Sequence, residues 1–187
     1  MDIFAQQLVN GLVLGSIYAL VALGYTMVYG ILELINFAHG DVLMVGAMLA
    51  LTVIKILLPW LPHAPVVVLI IALVIAMATC ALLSYGIERV AYRPLRNAPR
   101  LAPLITAIGV SILLQTVAMM LWSRNPLTFP QLLPATPIEV AGTGATITGK
   151  EIVIFCVSIV VMMALLFLVE KTKLGRAMRA TAENPKV

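Results

Sequence analysis

Two long stretches of this chain, residues 56–87 and 101–123, contain no Asp, Glu, Lys or Arg. A helix needs about 20 apolar residues to cross the hydrocarbon core of a bilayer, and each stretch is long enough. Of all residues, 62% are hydrophobic and 11% are charged, whereas about 45–50% and about 25% are usual in soluble domains. The chain is therefore expected to lie in a membrane, and a disordered tail, a secreted disulfide scaffold and a water-soluble enzyme are excluded.

Five segments are long and apolar enough to span, or nearly span, a bilayer. They predict an all-α, polytopic membrane protein with about five transmembrane helices, at Leu8–Gly30, Val42–Leu58, Pro65–Ile87, Leu101–Ser123 and Ile152–Val169. Residues 1–187 are expected to form a single membrane domain. The first span is expected to remain in the protein, because it is too long for a signal peptide and follows an acidic rather than a basic start.

Basic residues predict the orientation of these spans. Four Arg lie within 88–100 and five Lys or Arg lie within 171–187, and short loops rich in Lys and Arg stay in the cytoplasm. The N-terminus is then expected outside, and Trp60 and Trp122 fall at the outer ends of their helices, where interfacial aromatic residues are common. Because topology explains the basic clusters, no nucleic acid is expected as a partner.

A polar segment, residues 31–41, separates the first two spans. The second span is short, so part of this segment is expected at membrane depth as a broken or re-entrant element. Glu33, Asn36 and Gly40 share one face if the segment is helical. Asn36, His39 and Asp41 either contact a transported solute or cap a break in the helix, and the sequence leaves both roles open.

The segment from Gly144 to Glu151 has the spacing of a nucleotide-binding loop, G-x-x-x-x-G-K, but Glu151 stands where Ser or Thr must hold magnesium. A short external hairpin near 137–150 is predicted instead, with alternating residues around Gly142-Thr143-Gly144. Neither His39 nor His63 has a second ligand at metal-binding spacing, and no nucleophile motif is present. The sequence therefore predicts no metal site and no enzyme activity in this chain.

Small residues recur every four positions in the first span, at Gly11, Gly15 and Ala19. Such a stripe allows the backbone of another helix to approach closely. Helix packing is therefore the predicted role of these residues, and direct contact with a solute is the alternative.

The C-terminal tail is predicted to form a short amphipathic helix on the cytoplasmic surface. Apolar or small residues recur on one face and charged residues on the other: Leu174, Met178, Thr181 and Ala182 against Arg176, Arg179 and Glu183. Such a helix can dock on a protein partner or bind anionic lipid, and a basic cluster can also serve only to stop transfer. The residues alone leave these roles open.

Three separated motifs resemble the LivH-type permeases of branched-chain amino-acid ABC importers: Gly11–Gly30, Asn36–Asp41 and Gly175–Pro185. The resemblance implies a permease subunit that works with a second related permease, two ATPase subunits, a periplasmic solute-binding protein and membrane lipid. ATP and magnesium are then bound by the ATPase subunits, and no cofactor by this chain. The implied location is the bacterial inner membrane, with a periplasmic N-terminus and with 88–100 and 171–187 in the cytoplasm.

The resemblance also assigns residues. It implies that 171–187 begins a cytoplasmic coupling segment, in which Gly175, Arg176, Arg179, Ala180, Glu183 and Asn184 contact the ATPase. It places Asn36, His39 and Gly40 near the solute pathway or at the helix break. Family members continue beyond this point, so the chain is expected to be a truncated form or a fragment of a longer product, and not to transport by itself.

Uptake of Leu, Ile and Val is the function that this resemblance favours. Related permeases that carry urea, short amides or other small polar solutes share the Asn-Phe-Ala-His-Gly motif, so such a solute is the alternative. Two readings of another class are a non-transporting membrane fragment and a gradient-driven carrier. The clear spans lack the relay of buried Asp, Glu or Lys that a carrier of this kind needs.

Overall fold

A computed structural model describes residues 2–32, 36–95, 98–99, 101–132, 136–139 and 146–183. Its helices are α1 (Asp2–Leu32), α2 (His39–Leu57), α3 (Pro65–Ile87), α4 (Leu101–Leu121), α5 (Gly149–Lys171) and α6 (Lys173–Glu183). A π-helical turn, Glu88–Tyr92, and a 3-10 turn, Arg93–Leu95, continue α3. Strands β1 (Pro137–Glu139) and β2 (Thr146–Thr148) pair antiparallel.

Helices α1 to α5 are each long and apolar enough to cross a membrane. The predicted class, an all-α multi-pass membrane protein with five spanning helices, is therefore confirmed. The bounds of α3 agree with the prediction, and those of α2, α4 and α5 differ from it by three residues or fewer. Helix α1 begins at Asp2 rather than Leu8, because its polar first turns find partners in the hairpin formed by β1 and β2.

The chain divides into two compact units. The terminal unit comprises residues 1–33 and 133–187, with α1, the hairpin, α5 and α6. The central unit comprises residues 34–132, with α2, α3 and α4. The sequence prediction of a single domain over 1–187 stays a prediction.

The core of the central unit lies between α2 and α3, where the side chains of Ile54 and Val68 are fully buried. Near the other end of this pair, Gly46 lies against Cys80, and a Cβ atom on Gly46 would stand 2.6 Å from the sulfur. The small residue thus allows α2 and α3 to approach closely, and Cys80 acts as a packing residue. Leu132, which follows α4, also packs against this core.

In the terminal unit α1 packs on α5, and the hairpin precedes α5 directly. Ile138 lies opposite Ile147, so the predicted strand pairing is confirmed, whereas its turn residues, 142–144, lie outside the described residues. Thr148 caps α5 in a capping box, in which the Thr148 N–H donates to Glu151 Oε2 at 2.7 Å. The carboxylate that argues against a nucleotide-binding loop is therefore used to begin a helix.

Candidate functional site

The break between α1 and α2 is organised by Asn36. Its Oδ1 accepts a hydrogen bond from the Ala38 N–H at 3.0 Å, and its backbone carbonyl accepts one from the His39 N–H at 3.2 Å. This arrangement is an Asx-turn, in which a side-chain amide replaces a turn of backbone bonding. Asn36 therefore lies before α2 in a turn, so the helical segment on which the shared face with Gly40 depends is not present at this residue. Glu33, the third residue of that face, lies outside the described residues.

Tyr92 ties the same turn to the far end of α3. Its hydroxyl donates to Asn36 Oδ1 at 2.8 Å. Tyr92 is the last residue of the π-helical turn Glu88–Tyr92, which also packs against α4. A π-turn changes the direction in which the side chains leave the helix. Here the last side chain of the turn, Tyr92, bonds to Asn36 in the break. Asn36 Oδ1 thus accepts two hydrogen bonds, which is the usual capacity of an amide oxygen.

Helix α2 begins level with the middle of its neighbours. Asp41, in its first turn, bonds to Gln115, and α4 extends about 20 Å before that residue at 1.5 Å per residue. The Val42 carbonyl accepts from Cys80 Sγ, and α3 with its turns continues about 20 Å beyond Cys80 on the same side. The irregular backbone at 36–38 therefore lies beside α3 and its π-helical turn, and its expected place at membrane depth stays a prediction.

Asp41 is the buried acidic residue of this region, with 9% of its surface exposed. Gln115 Nε2 donates to Asp41 Oδ1 at 2.9 Å and approaches Ser111 Oγ at 3.3 Å. A carboxylate at the start of α2 is also favoured by the positive end of the helix dipole. Because polar groups are costly within a membrane, this paired cluster is a candidate functional site.

Of the three pathway residues of the sequence prediction, Asn36 and His39 are joined by a backbone hydrogen bond. Asn36 holds the turn, His39 is the first residue of α2 and is half-buried, and Gly40 follows it exposed, with open space around the position of a Cβ. Sequence reasoning did not identify Gln115 or Tyr92. The signal available for Gln115 was an amide in the charge-free run 101–123.

A second candidate site is α6, which follows α5 after the single residue Thr172. Its inner face is formed by Gly175, Met178 and Ala182, which are buried or half-buried. Leu174 is 62% exposed, so it does not share this inner face with Met178 and Ala182. Gly175 takes that place because α6 lies too close to α5 for a side chain.

The other predicted coupling residues lie on the surface of α6. Arg176, Arg179, Ala180 and Glu183 are exposed, and Asn184 lies outside the described residues. Arg179 Nη2 donates to the Glu170 carbonyl at 3.4 Å, so this side chain also holds α6 against α5. Arg179 borders a groove of about 180 Å³ between α1, α5 and α6, whose lining is otherwise largely apolar: Thr26, Met27, Gly30, Val169, Met178 and Ala182.

The small-residue stripe of α1 is open. Gly11 and Gly15 are exposed, and nothing lies within 4 Å of a Cβ built at either position. Ala19, the third member, is half-buried. Within the part of the chain that the structure describes, the two glycines therefore leave a surface for close approach.

A cleft of about 500 Å³ lies in the central unit at the C-terminal end of α2. It is lined by Lys55, Leu58, Pro59, Thr128, Phe129 and Pro130. The charge of this cleft comes from Lys55, which lies in the last turn of α2. A cation is favoured at that end by the helix dipole. Among the described residues, no group of three or more His, Cys, Asp or Glu side chains is arranged to hold a metal ion.

Comparison with known proteins agrees with this architecture. A family profile described as "Branched-chain amino acid transport system / permease component" matches residues 7–187. The chain is 45% identical to the high-affinity branched-chain amino acid transport system permease protein BraD of Pseudomonas aeruginosa, over 98% of this chain and 61% of BraD. It is 39% identical to the corresponding LivH of Escherichia coli, over 98% of this chain and 60% of LivH.

A more distant relative is the probable branched-chain amino acid transport permease protein LivH of Methanocaldococcus jannaschii, with 29% identity over 98% of this chain and 57% of the relative. The chain thus spans about three-fifths of the length of these relatives. No solved structure matches it. The resemblance noted in the sequence is confirmed, and the chain belongs to the family of permease components of branched-chain amino acid transport systems.

Proposed function

We propose that this chain is a membrane-spanning permease subunit of an ATP-driven importer that moves Leu, Ile and Val across the bacterial inner membrane. The family match over residues 7–187 carries this proposal, since the relatives are named as high-affinity branched-chain amino acid permeases. The proposed partners are a second related permease, two ATPase subunits, a periplasmic solute-binding protein and membrane lipid. ATP and magnesium are bound by the ATPase subunits, and this chain performs no enzymatic step.

The proposed orientation places the N-terminus in the periplasm, and 88–100 and 171–187 in the cytoplasm. The basic residues of both segments support it. Trp60 lies three residues after the end of α2, and Trp122 directly follows α4. Because α2 and α4 run in the same direction, as the paired contacts Asp41–Gln115 and Thr52–Trp122 indicate, both Trp residues lie at one membrane face.

In this orientation α6 lies at the cytoplasmic face, where we propose that it docks on an ATPase subunit. Its exposed residues include an apolar side chain, Leu174, and, on the opposite side of the helix, charged side chains of both signs, Arg176 and Glu183. A surface of this kind suits a protein partner with a pocket and complementary charges. A purely lipid-binding helix would instead favour a uniformly basic face.

We propose that the broken element at 36–41 borders the solute pathway. The polar groups of Asn36 and Asp41 have protein partners, Tyr92 and Gln115. These bonds support a role of Asn36 and Asp41 in stabilising the break, and His39 and Gly40 lie beside it at the start of α2.

Uptake tests the proposal. The full gene product that contains this chain is expressed with its three kinds of partner subunit in a bacterium that lacks its own branched-chain importer, and entry of labelled Leu is measured with ATP maintained and the proton gradient collapsed. We expect uptake to continue, and unlabelled Ile and Val to compete with Leu. Uptake that stops with the gradient would support a carrier, and competition by urea but not by Ile would support the other solute class.

The docking surface is tested in the same cells. Arg176→Glu is expected to reduce recovery of the ATPase with the solubilised permease, because it reverses a charge on the outward face of α6. Lys150→Glu is the control, since Lys150 is equally exposed but begins α5 at its opposite end. Equal recovery with both variants would contradict docking through α6.

A further inference from the structure

The link between α5 and α6 is a single residue, yet it is extensively bonded. The last four carbonyls of a helix have no partner within that helix. At the end of α5, the Leu168 carbonyl accepts from the Thr172 hydroxyl, and the Glu170 carbonyl accepts from Arg179 Nη2 at 3.4 Å. The link and α6 thus supply the donors that complete α5.

The Thr172 hydroxyl serves both helices at once. Besides donating to the Leu168 carbonyl, it accepts a hydrogen bond from the Gly175 N–H at 3.1 Å. The latter is the bond that an N-cap residue makes to the first turn of a helix. The Thr172 carbonyl also accepts from the Arg176 N–H at 3.1 Å. One side chain therefore ends α5 and begins α6.

Gly175 sets how closely the two helices approach. It is buried in the first turn of α6, and a Cβ atom built there would overlap the backbone carbonyl oxygens of Leu168 and Val169. Backbone carbonyls of a helix cannot rotate away as a flexible side chain can. Any side chain at this position would therefore require α6 to move relative to α5.

We propose that Thr172 and Gly175 form an elbow that fixes the angle between α5 and α6, so that a displacement of α6 is passed to α5 rather than absorbed by the link. The elbow rests on the proposed function, in which the ATPase subunit displaces α6. Both are positioning residues: Gly175 is buried against α5, and this role does not require it to contact the ATPase. A loose single-residue link would bend under the same displacement and leave α5 in place.

The geometry of the elbow can be tested without any partner. Spin labels are placed on cysteines introduced at the exposed residues Met163 and Ala177, after the native cysteines are replaced by alanine, and distances are measured in lipid nanodiscs. We expect one narrow distance distribution in the parent and in Thr172→Ser, which keeps the hydroxyl. Thr172→Val, which has the same shape but no hydroxyl, and Gly175→Ala should give a broadened or shifted distribution. An unchanged distribution in both of these variants would overturn the elbow.

Its role in coupling is tested in the assembled importer, by the ratio of Leu transported to ATP hydrolysed. Thr172→Val and Gly175→Ala are expected to lower this ratio by at least about fivefold, the low end of coupling between distant sites, while ATP hydrolysis and recovery of the ATPase persist. Thr172→Ser should restore the ratio, and Gly109→Ala is the control, since a Cβ at Gly109 meets open space. A ratio that Thr172→Val leaves unchanged would overturn the role.

The two proposals fail in different ways. If the parent importer shows no ATP-dependent uptake of Leu, the proposed function is wrong, whereas the label distances still decide whether the elbow exists. If Gly175→Ala does not accumulate in the membrane, the pair Thr172→Val and Thr172→Ser decides the question, because Thr172→Val removes the hydroxyl and Thr172→Ser keeps it.

Discussion

Asn36 illustrates how one side chain can support a break in a membrane helix. Where a turn between membrane helices is shielded from water, each backbone group left unsatisfied costs several kcal/mol. The Asn36 amide oxygen accepts from the Ala38 N–H within the turn and from the Tyr92 hydroxyl of a neighbouring helix. The break is thereby held both locally and from outside, and the surrounding apolar residues need supply only packing.

Replacing Asn36 by Ala is expected to lower the free energy of unfolding by about 1–3 kcal/mol, because it leaves the Ala38 N–H without its acceptor. Tyr92→Phe should have a smaller effect, and the double variant should cost less than the sum of the two. Unfolding in mixed micelles of increasing SDS content, followed by tryptophan fluorescence, measures these values. Tyr85→Phe is the control. Within the described part of the chain, the Tyr85 hydroxyl accepts a hydrogen bond from the exposed Arg89 of its own helical segment. Strictly additive effects would contradict the Asn36–Tyr92 bond.

The residues that bond to this break were the least predictable part of the site. Asn36 and Asp41 stand out in the sequence because polar residues follow an apolar span. Their partners do not, since Tyr92 and Gln115 lie 56 and 74 positions away from them. Sequence periodicity reports which face of a helix is apolar, but it does not report which helices become neighbours.

A side chain of α1, Gln6, bonds to the outer edge of the hairpin. The Thr146 N–H donates to Gln6 Oε1 at 2.7 Å, and Gln6 Nε2 donates to the Thr146 carbonyl at 3.0 Å. The side-chain amide of Gln6 thus bonds to β2 as a neighbouring strand would, on the side of β2 away from β1. An isolated two-stranded hairpin is only marginally stable, so this contact with α1 explains why strands of three residues persist.

Gln6→Leu is therefore expected to loosen the hairpin without unfolding α1. Loss of the two hydrogen bonds should speed amide exchange of residues 146–148 by about tenfold or more, at about 1 kcal/mol for each bond. Hydrogen–deuterium exchange with mass spectrometry measures the rate in the peptides that cover the hairpin. Gln7→Leu makes the same chemical change at an exposed neighbour, and equal acceleration in this variant would show that Gln6 has no special role.

The positions of the helices were predicted closely from the sequence, and the faces that they bury were predicted less well. The charge-free run 56–87 predicts α3 to the residue, because Pro65 is favoured at the start of a helix and a change of helical geometry begins at Glu88. The face of α6 was predicted from hydrophobicity, which favours Leu174. The observed face is set instead by how closely α6 approaches the carbonyls of α5, and only Gly175 satisfies that distance.

Over the whole molecule, the spanning helices bury little of their surface within the chain. In the apolar windows of α1 and α5 only 6% of the residues are buried, and 22% in α2, the highest value. The remaining apolar surface must meet lipid or another protein. The open stripe at Gly11 and Gly15 differs from the rest of this surface, because small residues favour a helix over flexible lipid chains.

Gly15→Leu is expected to weaken assembly with the second permease while leaving this chain folded. The added side chain meets open space within the chain, but at a close helix contact overpacking costs about 1–3 kcal/mol, so about tenfold or more should be lost in affinity. Co-purification of the two tagged permeases at low expression measures the loss. Gly109→Leu is the matched control, and an equal loss there, or none at Gly15, would contradict a specific contact at the stripe.

The terminal unit carries structure at both ends of the same helix pair. The hairpin is fastened by Gln6 to the beginning of α1, and α6 is fastened by the elbow to the end of α5. In the proposed orientation the first lies in the periplasm and the second in the cytoplasm. In that arrangement, α1 and α5 connect the periplasmic face, where the binding protein arrives with its amino acid, to the cytoplasmic face, where the ATPase binds. The ATPase would then respond to the binding protein before any amino acid has entered the membrane. Signalling and passage would be separate events, and a nanobody clamped on the hairpin would alter ATP consumption with no solute present.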